Sequence, residues 1–592
     1  MHRIQSLIFS VLIVISACIL IVTASWNESL TFDEVTYIPS GYSYLTRADM
    51  RINPEHPPLF KDIAALPLLF MDIHQDAFST PSWNDNSNDQ WEFGKQFLFK
   101  SGNDANAIAH AARLPMLFFF ILTAGVIFIW TRSRFGNTAA YMALVVFCFS
   151  PSIMAHAGFV TNDVASACGA LVGLFAFAYF LRQPTYIRAF IAGLGLGFAL
   201  LTKFSNVLLI PLFLGFALCY TYFSSNAERS SLTLRLSALL KISIKIGTIC
   251  AVAIIVCVYP LYALHVSHYP AEKQRLDTHA ITNGFSLTGP LVWLSDKPVV
   301  RPFAHFILGV SMNVIRTGGV SKSYLAGEIS NDAPTLYFPI AYLIKEPLPW
   351  ILLTILGLSA GIFGFFKQVT MKRRSDKDAF FTTYQDELLM VSWIFAYGGL
   401  SIAGNLAIGI RHIFPLYPFI IMLVCGMIVW AISYMAKRHA TYSRIAHVGV
   451  WLLIIWYVVE NLIAFPFYLP YFNQLVGGSK NGGAYLNDSN VDWGQELIRL
   501  RAWLDENNVT RIEGDIFTST YIEYYLGNRF IPLWHNKYSS AEDFMTHSET
   551  EWIAISESTL RAGWALGRYT WLQAHEPVTT IGHAMRVYRI TD

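Results

Sequence analysis

Two adjacent carboxylates, Asp33 and Glu34, stand only a few residues after the first apolar run of the chain, residues 7–25. A charged side chain so close to hydrocarbon is costly unless a partner or a reaction makes use of it. A carboxylate can act as a general base that accepts the proton of a reacting hydroxyl. Such chemistry requires cationic and polar partners at the ends of the other apolar runs.

Polar residues do cluster at the ends of other apolar runs, and all of them fall on the same predicted side of the membrane. They are the stretch 53–62 (Asn-Pro-Glu-His-Pro-Pro-Leu-Phe-Lys-Asp), Thr161-Asn162-Asp163, Thr202-Lys203 and Arg411-His412. Acids and cations gathered at one rim suit a reaction whose nucleophile loses a proton and whose leaving group is anionic. A phosphate attached to a lipid tail is such a leaving group.

Each of these residues also has a purely structural interpretation. Asp33, Glu34 and Asp163 could occupy the first turns of helices, where negative charge is favourable. Lys203 could extend from a helix end toward the membrane surface, and Arg411-His412 could anchor the chain at the interface. Only the convergence of all of them on one side favours a functional site.

Glu55 and His56 leave the question of a metal open. His56 could be an ordinary turn histidine, and Glu55 with His56 could instead bind a metal ion. A single Glu-His pair is not a metal-ligand set, so we assign no metal ligands. No cofactor is predicted from the motifs, and a divalent cation stays open.

The composition is that of a polytopic membrane protein. Of the 592 residues, 54% are hydrophobic and 14% are charged, and the mean hydropathy is +0.42. Soluble domains carry about 25% charged residues. The formal net charge of +2 gives no reason to expect nucleic acid as a partner. All seven cysteines lie in or beside apolar runs without metal-ligand spacing, so we expect no disulfide framework.

The apolar runs predict about eleven membrane-spanning helices. They cover residues 7–25, 114–131, 138–155, 163–181, 187–202, 205–223, 243–263, 338–366, 386–404, 412–434 and 446–465. No convincing cleavage site follows the first run, so we interpret it as a retained span rather than a signal peptide.

Cations in the short loops predict the orientation in the membrane. One side holds Arg132, Arg134, Arg182, Arg188, residues 229–245, residues 367–377 with Lys372-Arg373-Arg374, and residues 437–444. The positive-inside rule places this side in the cytoplasm. We therefore predict a multi-pass protein of the plasma (inner) membrane with a cytoplasmic N-terminus and an extracytoplasmic C-terminal region.

The predicted topology divides the chain into two domains. Residues 1–465 form a membrane domain with outer loops 27–113 and 264–337, and residues 466–592 form an extracytoplasmic α/β domain. In the latter, residues 494–504 have helical spacing, whereas residues 551–556 and 585–590 have strand patterns. The amphipathic stretch 59–70 is too short to cross a bilayer and is expected to lie along the interface.

Several motifs resemble those of the GT-C superfamily of glycosyltransferases that use polyprenyl-phosphate sugars. The most specific are Asp33-Glu34 and His56-Pro-Pro-Leu-Phe-Lys61, which is similar to the His-Pro-Pro-Leu-Gly-Lys pattern of protein mannosyltransferases with Phe60 in place of glycine. Other similar segments are Ala112-Arg113-Leu114-Pro115, residues 200–203, Tyr337-Phe338-Pro339, Lys345-Glu346-Pro347 and residues 411–418. The chain most resembles the protein O-mannosyltransferase and lipid A aminoarabinose transferase group. Residues 487–495 are similar to a tail of bacterial members and depart from the MIR-type domain of eukaryotic protein mannosyltransferases.

The resemblance implies a mannosyltransferase-like enzyme of the cell envelope that inverts the sugar it transfers. Its donor would be a polyprenyl-phosphate-linked sugar, its acceptor the hydroxyl of a lipid, glycan or protein, and its surroundings membrane lipids. Asp33 would be the general base with Glu34 as its catalytic neighbour, and Lys203, Arg411 and His56 would bind the donor phosphate. Secondary candidates are Asp163, Arg113, Lys61, His412 and Lys345.

Two rival functions come from other classes of protein. A transporter or lipid flippase usually places ionisable residues near the bilayer midplane and often has paired halves. A non-catalytic membrane scaffold with an outer binding domain would leave the charges at the rim without a use. The sequence shows no such symmetry between halves, and its charges sit at one rim.

Overall fold

The computed structural model of the chain describes residues 2–224, 232–319, 321–371 and 377–591. Within these ranges, eight helices are long and apolar enough to cross a membrane. They are Gln5–Ser25, Ala105–Phe135, Asn162–Arg182, Phe204–Tyr222, Leu232–His265, Leu348–Lys367, Ile410–Ala436 and Ala440–Ala464. The pair Asn137–Cys148 and Pro151–Ala157, bent by 59°, makes a ninth if it counts as one span. The predicted polytopic α-helical fold class is confirmed.

Two of the eleven predicted spans form helices that are not among these eight, and the number of spans stays a prediction. The predicted span 187–202 is the helix Tyr186–Thr202, which has 17 residues and is shorter than these eight helices. The predicted span 386–404 is the helix Gln385–Ala403, whose first turn carries two acids and is less apolar. Of the cations used to orient the chain, Arg229 and Lys372-Arg373-Arg374 lie outside the described residues.

Further helices in the described residues connect these spans. Between the first two spans lie Glu34–Arg47, Leu59–Ala65, Pro81–Asn84 and Gln90–Lys95. Between residues 265 and 385 lie Ala271–Thr282, Thr288–Ser295, Arg301–Gly318, Tyr337–Lys345 and Lys377–Thr383. The predicted amphipathic stretch forms Leu59–Ala65 followed by the 3-10 turn Leu66–Phe70, and Phe70 is 90% exposed.

A small hairpin from residues 264–337 packs against the C-terminal region. Its strands are β1 (Ser323–Leu325) and β2 (Glu328–Ser330). The two turn residues, Ala326 and Gly327, both have positive φ, as a tight two-residue turn requires. The Ala326 N–H donates to the carbonyl of Tyr485 at 2.9 Å, which ties this loop region to the chain beyond residue 465.

The C-terminal region folds around a five-stranded sheet. Its strands are β3 (Ile512–Asp515), β4 (Phe530–Pro532), β5 (Trp552–Ser556), β6 (Thr579–Ile581) and β7 (Met585–Arg589), in the order β4-β3-β5-β7-β6. β3 runs parallel to β4 and β5, whereas β7 runs antiparallel to β5 and β6. The helices Leu497–Glu506, Ile522–Leu526, Ala541–His547 and Glu557–Ala565 accompany the sheet. The two predicted strands and the predicted helix are thus present, and the α/β character is confirmed.

The C-terminal region also packs directly on the membrane helices. One continuous hydrophobic cluster contains buried side chains of both parts, for example Trp130 and Trp493. Lys345, at the end of the helix Tyr337–Lys345, is buried and donates from Nζ to the carbonyls of Leu469 and Asn490, each at 2.7 Å. A single ammonium group therefore joins the membrane domain to the segment that leads into the sheet.

We expect Lys345→Met to destabilise the protein without touching any reacting group. The change leaves two buried carbonyls without donors, which we expect to cost about 2 kcal/mol or more. Thermal unfolding of the purified protein in detergent measures this loss. The matched control is Lys480→Met, which changes an exposed lysine of the same region and should leave the unfolding temperature unchanged. Equal unfolding temperatures for the two variants would contradict the anchoring role.

Candidate active site

Asp33 lies between an extended segment and the helix Glu34–Arg47. Its carbonyl accepts hydrogen bonds from the N–H groups of Thr36 and Tyr37, each at 3.1 Å, which starts the helix directly after it. Its side chain is 18% exposed, and Oδ2 accepts from Nη1 of Arg411 at 2.9 Å. Asp33 is therefore ion-paired yet still accessible.

Arg411 also connects Asp33 to a second, fully buried acid. The same Nη1 lies 3.4 Å from Oδ2 of Asp163, and Oδ1 of Asp163 accepts from Nζ of Lys203 at 2.9 Å. The result is a chain of four alternating charges, Asp33–Arg411–Asp163–Lys203, which we call the charge chain. Two acids and two bases leave it neutral overall. The ring of His156 extends it, with Nδ1 3.9 Å from Oδ2 of Asp163.

Close helix packing brings Asp163 and Lys203 together. Asp163 lies in the first turn of the helix Asn162–Arg182, and Lys203 directly follows the antiparallel helix Tyr186–Thr202. A Cβ on Gly169 would lie 2.3 Å from Oγ1 of Thr202, so only glycine fits where the two helices touch. This contact holds the two helix ends within ion-pairing distance.

A cavity of about 170 Å³ opens beside the charge chain. It is lined by Phe32, Asp33, Thr36, Tyr37, Asn53, Glu55, His56, Gln90, Trp91, Arg316, Ile408, Arg411, Asp488, Trp493 and Phe517. Three of the predicted site residues, Asp33, Arg411 and His56, are among these lining residues. Lys203 and Asp163 do not line it and lie behind Arg411.

His56 presents a neutral imidazole to the cavity. Its Nδ1 lies 3.0 Å from the side-chain amide nitrogen of Asn162, which can only donate, so Nδ1 accepts and Nε2 carries the proton. Burial lowers the pKa of His56 well below its usual value, and the charges of Lys61 and Arg316 act in the same direction. A phosphate contact of His56, as predicted, would therefore use a neutral N–H donor and not a cationic ring.

Glu34 points into a different environment from its neighbour Asp33. Its two oxygens accept from Nε and Nη2 of Arg113 at 2.9 and 2.7 Å, and from the N–H groups of Thr31 and Val160 at 2.9 Å each. Burial alone would raise the pKa of Glu34, but the Arg113 ion pair and these hydrogen bonds lower it below its usual value. Glu34 is fully buried and does not line the cavity. These contacts favour a structural role for Glu34 that it shares with Arg113, and its part in catalysis stays a prediction.

Arg113 fixes the turn between the first span and Asp33. Besides Glu34, it donates to the carbonyls of Ser25, Glu28 and Ser29, each at 2.9 Å. All three carbonyls precede Asp33 in the chain. Arg113 thus determines the path by which the chain reaches the cavity, and it makes no contact with the cavity itself.

The remaining predicted residues surround the cavity without lining it. Lys61 is buried and donates to the Tyr44 hydroxyl, to the carbonyl and side chain of Asn53 and to the carbonyl of His56, at 2.7–2.9 Å. It therefore shapes the loop that presents His56. Burial lowers the pKa of Lys61 to about 7. The carbonyl of His412 accepts from the Tyr397 hydroxyl at 3.1 Å, and Lys345 anchors the C-terminal region as described above.

Several residues that the sequence did not propose for the site also line the cavity, among them Arg316, Asp488, Trp493 and Phe517. Arg316 is exposed near the end of the helix Arg301–Gly318, and none of the ion pairs among the described residues involves it. Burial raises the pKa of Asp488, although Arg411 opposes this shift. The ring of Trp493 lies 4.1 Å from the guanidinium carbon of Arg411. For Asp488 and Trp493, the sequence signal was the similarity of segment 487–495 to a tail found in bacterial members of the family.

Among the residues that the structure describes, no group of three or more His, Cys, Asp or Glu side chains is arranged to hold a metal ion. Glu55, one half of the considered Glu-His pair, instead accepts hydrogen bonds from the side-chain amides of Asn88 and Gln90. Two acids of the cavity thus have partners on the protein: Asp33 pairs with Arg411, and Glu55 is hydrogen-bonded by amides.

The chain has helices for several membrane spans, and part of it is similar in sequence to a known family of mannosyltransferases. Residues 10–269, a little less than half of the chain, match the family model described as "PMT: Dolichyl-phosphate-mannose-protein mannosyltransferase". The matched range includes Asp33, His56, Asp163 and Lys203, whereas Arg411 lies beyond it. No curated protein sequence matches the chain.

Two solved structures are similar to the chain over most of its length. One is ArnT from Cupriavidus metallidurans bound to undecaprenyl phosphate, with 14% identity, 98% of each chain covered and a TM-score of 0.42. The other is the archaeal oligosaccharyltransferase AglB from Archaeoglobus fulgidus, in complex with an inhibitory peptide and a dolichol-phosphate. It has 12% identity and a TM-score of 0.46, and the similarity covers 96% of this chain and 72% of AglB. At these TM-scores the similarity carries no argument about substrate.

We expect Glu34→Gln to damage stability more than turnover. The change leaves the Arg113 guanidinium buried without a counter-charge, a loss of about 3–5 kcal/mol for pairs of this kind. Thermal unfolding should show this loss, and Glu34→Gln combined with Arg113→Met should recover part of it. The rate per folded molecule should stay near that of the parent protein. A Glu34→Gln protein that unfolds normally but has lost turnover would restore the catalytic interpretation.

We expect donor use to be independent of the protonation of His56 between about pH 6 and pH 8. Its pKa is lowered well below 6.5, so the ring is neutral throughout this range and its Nε2–H remains available. The KM for the donor, measured against pH, should therefore have the same shape in the parent protein and in His56→Gln. His56→Ala should raise KM at every pH. A donor affinity that falls as the pH rises through 6–7 only in proteins with His56 would show that a cationic ring is used.

Proposed function

We propose that this enzyme transfers a sugar from a polyprenyl-phosphate-linked donor to an acceptor hydroxyl, with inversion, at the extracytoplasmic face of the membrane. The observation that carries the proposal is the pairing of Asp33 with Arg411 at 2.9 Å in the wall of one cavity. A base and an anion-binding cation are thereby side by side. These are the two groups that a displacement at a phosphorylated sugar requires.

In the proposed reaction the acceptor oxygen displaces the phosphate in one step. The Asp33 carboxylate takes the proton from the acceptor hydroxyl while the acceptor oxygen forms a bond to the anomeric carbon. The bond from that carbon to the phosphate oxygen breaks, and its electron pair remains on the departing polyprenyl phosphate. Because attack and departure occur on opposite faces of the carbon, a single displacement inverts its configuration.

Three cavity residues are suited to hold the departing phosphate. Arg411 supplies a fixed positive charge, and its buried Nε has no hydrogen-bond partner among the described residues, so donor capacity remains. His56 supplies a neutral N–H. Arg316 supplies a second cation at the exposed side of the cavity. Preorganised donors of this kind stabilise charge that develops in the transition state.

Asp163 and Lys203 have supporting roles in the proposal. Asp163 is 1% exposed and holds Arg411 from behind, and Lys203 compensates the charge of Asp163. The prediction that Lys203 binds the donor phosphate is therefore modified, and the secondary candidate Asp163 is given a supporting role. Both act through Arg411, because neither lines the cavity.

The position of the charge chain favours a transferase over a transporter. Asp163 lies at the first turn of one span, Arg411 at the start of another, and Lys203 just after the end of a helix. The charges thus lie at helix ends and not midway along a span, where transporters place theirs. A scaffold would not need an accessible carboxylate in a cavity.

Three large segments lie outside the predicted spans: residues 27–113, 264–337 and 466–592. Contacts among them support their placement on one side of the membrane. The His268 N–H donates to the carbonyl of Ala48, which joins loop 264–337 to loop 27–113. The Ser29 N–H donates to the carbonyl of Gln495, which joins loop 27–113 to the C-terminal region. With the positive-inside rule, we assign this common side to the exterior, and we retain the division into domains 1–465 and 466–592.

The cavities suit a lipid-linked donor. The polar cavity of about 170 Å³ is smaller than the usual ligand pocket of about 300–1,000 Å³ and fits a sugar and its phosphate rather than the lipid. A second cavity of about 780 Å³, almost wholly apolar, lies between the spans Gln5–Ser25 and Ala105–Phe135. Its lining suits a hydrocarbon chain. Hydroxyls of lipids, glycans and proteins all fit the chemistry proposed for the acceptor.

The proposal is tested with Asp33→Asn in the purified protein. We expect the transfer rate to fall by about 10²–10⁴-fold, the usual contribution of a general base. Binding of polyprenyl phosphate should persist, because the neutral amide of this variant no longer competes for Arg411, whereas Arg411→Ala should weaken it. The matched control is Asp72→Asn, an exposed acid of the same loop, with unchanged rate.

Mass spectrometry of cell-envelope lipids, glycans and glycoproteins identifies the product. Cells without the protein, and cells with only Asp33→Asn, should lack the same sugar. An Asp33→Asn protein that inserts normally and transfers at the parental rate would rule out the base assignment. Identical envelopes in all three strains would rule out the function.

A further inference from the structure

The C-terminal segment 487–495 contacts the chain on both sides of the Asp33–Arg411 pair. It follows the membrane domain and precedes the sheet, and two of its residues, Asp488 and Trp493, line the cavity. The segment is mostly buried, and Trp493 is only 1% exposed. Its contacts indicate that the C-terminal region has a part in the reaction itself.

The segment holds the backbone that leads to Asp33. The N–H of Phe32, the residue directly before Asp33, donates to the carbonyl of Trp493 at 2.9 Å. Three residues earlier, the Ser29 hydroxyl donates to the carbonyl of Gly494 at 2.8 Å. The extended segment before Asp33 is therefore bound side by side with the C-terminal segment.

Residues beyond the segment hold Phe32 from its other side. The Ser519 hydroxyl donates to the carbonyl of Phe32 at 2.6 Å, and the ring of Phe517 stacks on that of Phe32 with centroids 5.4 Å apart. Both backbone polar groups of the residue before Asp33 are thus bound by the C-terminal region. The Asp33 carboxylate has little freedom to move relative to that region.

The same segment holds Arg411. The side-chain oxygen of Asn490 accepts from the N–H of Ile410 at 3.0 Å, which fixes the backbone next to Arg411. The Trp493 ring lies 4.1 Å from the guanidinium carbon, a cation–π contact in a buried site. Trp493 therefore contacts Arg411 and the residue next to Asp33: its ring covers Arg411, and its carbonyl accepts from the N–H of Phe32.

We propose that Trp493 is a positioning residue that sets the place of the Arg411 guanidinium relative to the Asp33 carboxylate, so that the C-terminal region completes the active site. The inference rests on the proposed function. The flat Trp493 ring covers one face of the Arg411 guanidinium and thereby holds the guanidinium in the position in which it lines the cavity. Without that face the guanidinium has other positions available, and the base and the phosphate-binding cation lose their alignment.

The test compares Trp493→Leu, Trp493→Phe and the parent protein for transfer rate and for binding of polyprenyl phosphate. We expect Trp493→Leu to lower kcat by about 10²-fold, the usual effect of a misplaced catalytic group, and to weaken binding of polyprenyl phosphate. Trp493→Phe keeps an aromatic face and should stay within about threefold of the parent, as expected from the modest strength of one such contact. Trp571→Leu, in the hydrophobic cluster of the sheet, is the matched control and should keep the parental rate.

A double-variant comparison separates positioning from general destabilisation. If Trp493 acts through Arg411, adding Trp493→Leu to Arg411→Ala should cause little further loss of rate, because contacting residues are not additive. A full additional loss would overturn the inference. So would a Trp493→Leu protein with the parental rate and phosphate binding.

If Trp493→Leu does not fold, the variant Ser519→Ala tests whether the C-terminal region completes the active site. Ser519→Ala removes only the hydroxyl bound to the Phe32 carbonyl, and we expect it to lower kcat about threefold or more at an unchanged unfolding temperature. A parental rate for Ser519→Ala would then overturn the inference. Failure of the proposed function is distinguishable, because in that case the parent protein transfers no sugar and Asp33→Asn changes nothing.

Discussion

The positive charge of Arg411 is buried at the start of a membrane helix, and it has to be compensated where it lies. Removing an unpaired guanidinium from water is prohibitively costly, and only close acids and a polarisable surface make it tolerable. Asp163 supplies the compensation from within the helical bundle, Asp33 from the loop, and the ring of Trp493 from the C-terminal region. The ends of several helices and two non-membrane segments must therefore meet at this point for the protein to fold.

The sequence identified the residues of the charge chain because each departs from the pattern of its surroundings. Asp163, Lys203 and Arg411 are charges at the ends of apolar runs, and such placements have few explanations. The sequence did not predict which of these residues pair with one another, because Arg411 lies 248 positions from Asp163 and 378 from Asp33 along the chain. The roles of adjacent residues were equally hard to distinguish from the sequence. Asp33 and Glu34 are adjacent, yet only the distant Arg113 decides that Glu34 serves the fold and Asp33 faces the cavity.

Other features left no local trace in the sequence. Arg316 lies in a helix of ordinary composition, and its position at the cavity follows only from how loop 264–337 folds back. The longest strands, β5 and β7, were visible as patterns, whereas strands of three or four residues such as β3, β4 and β6 are too short to show one. Apolar runs predicted eleven spans, and two of them form helices that are shorter or less apolar than the eight long ones.

The sharing of Arg411 between two acids has a kinetic consequence. One oxygen of the Asp33 carboxylate accepts a hydrogen bond from the Arg411 guanidinium. Under the proposed function, the donor phosphate would compete for the same guanidinium, while Asp163 retains it from behind. The lipid-linked donor would then free the Asp33 oxygen as it binds, and the acceptor hydroxyl would meet that oxygen only afterwards. The proposed reaction would therefore be ordered, with the sugar carrier binding first and the acceptor second.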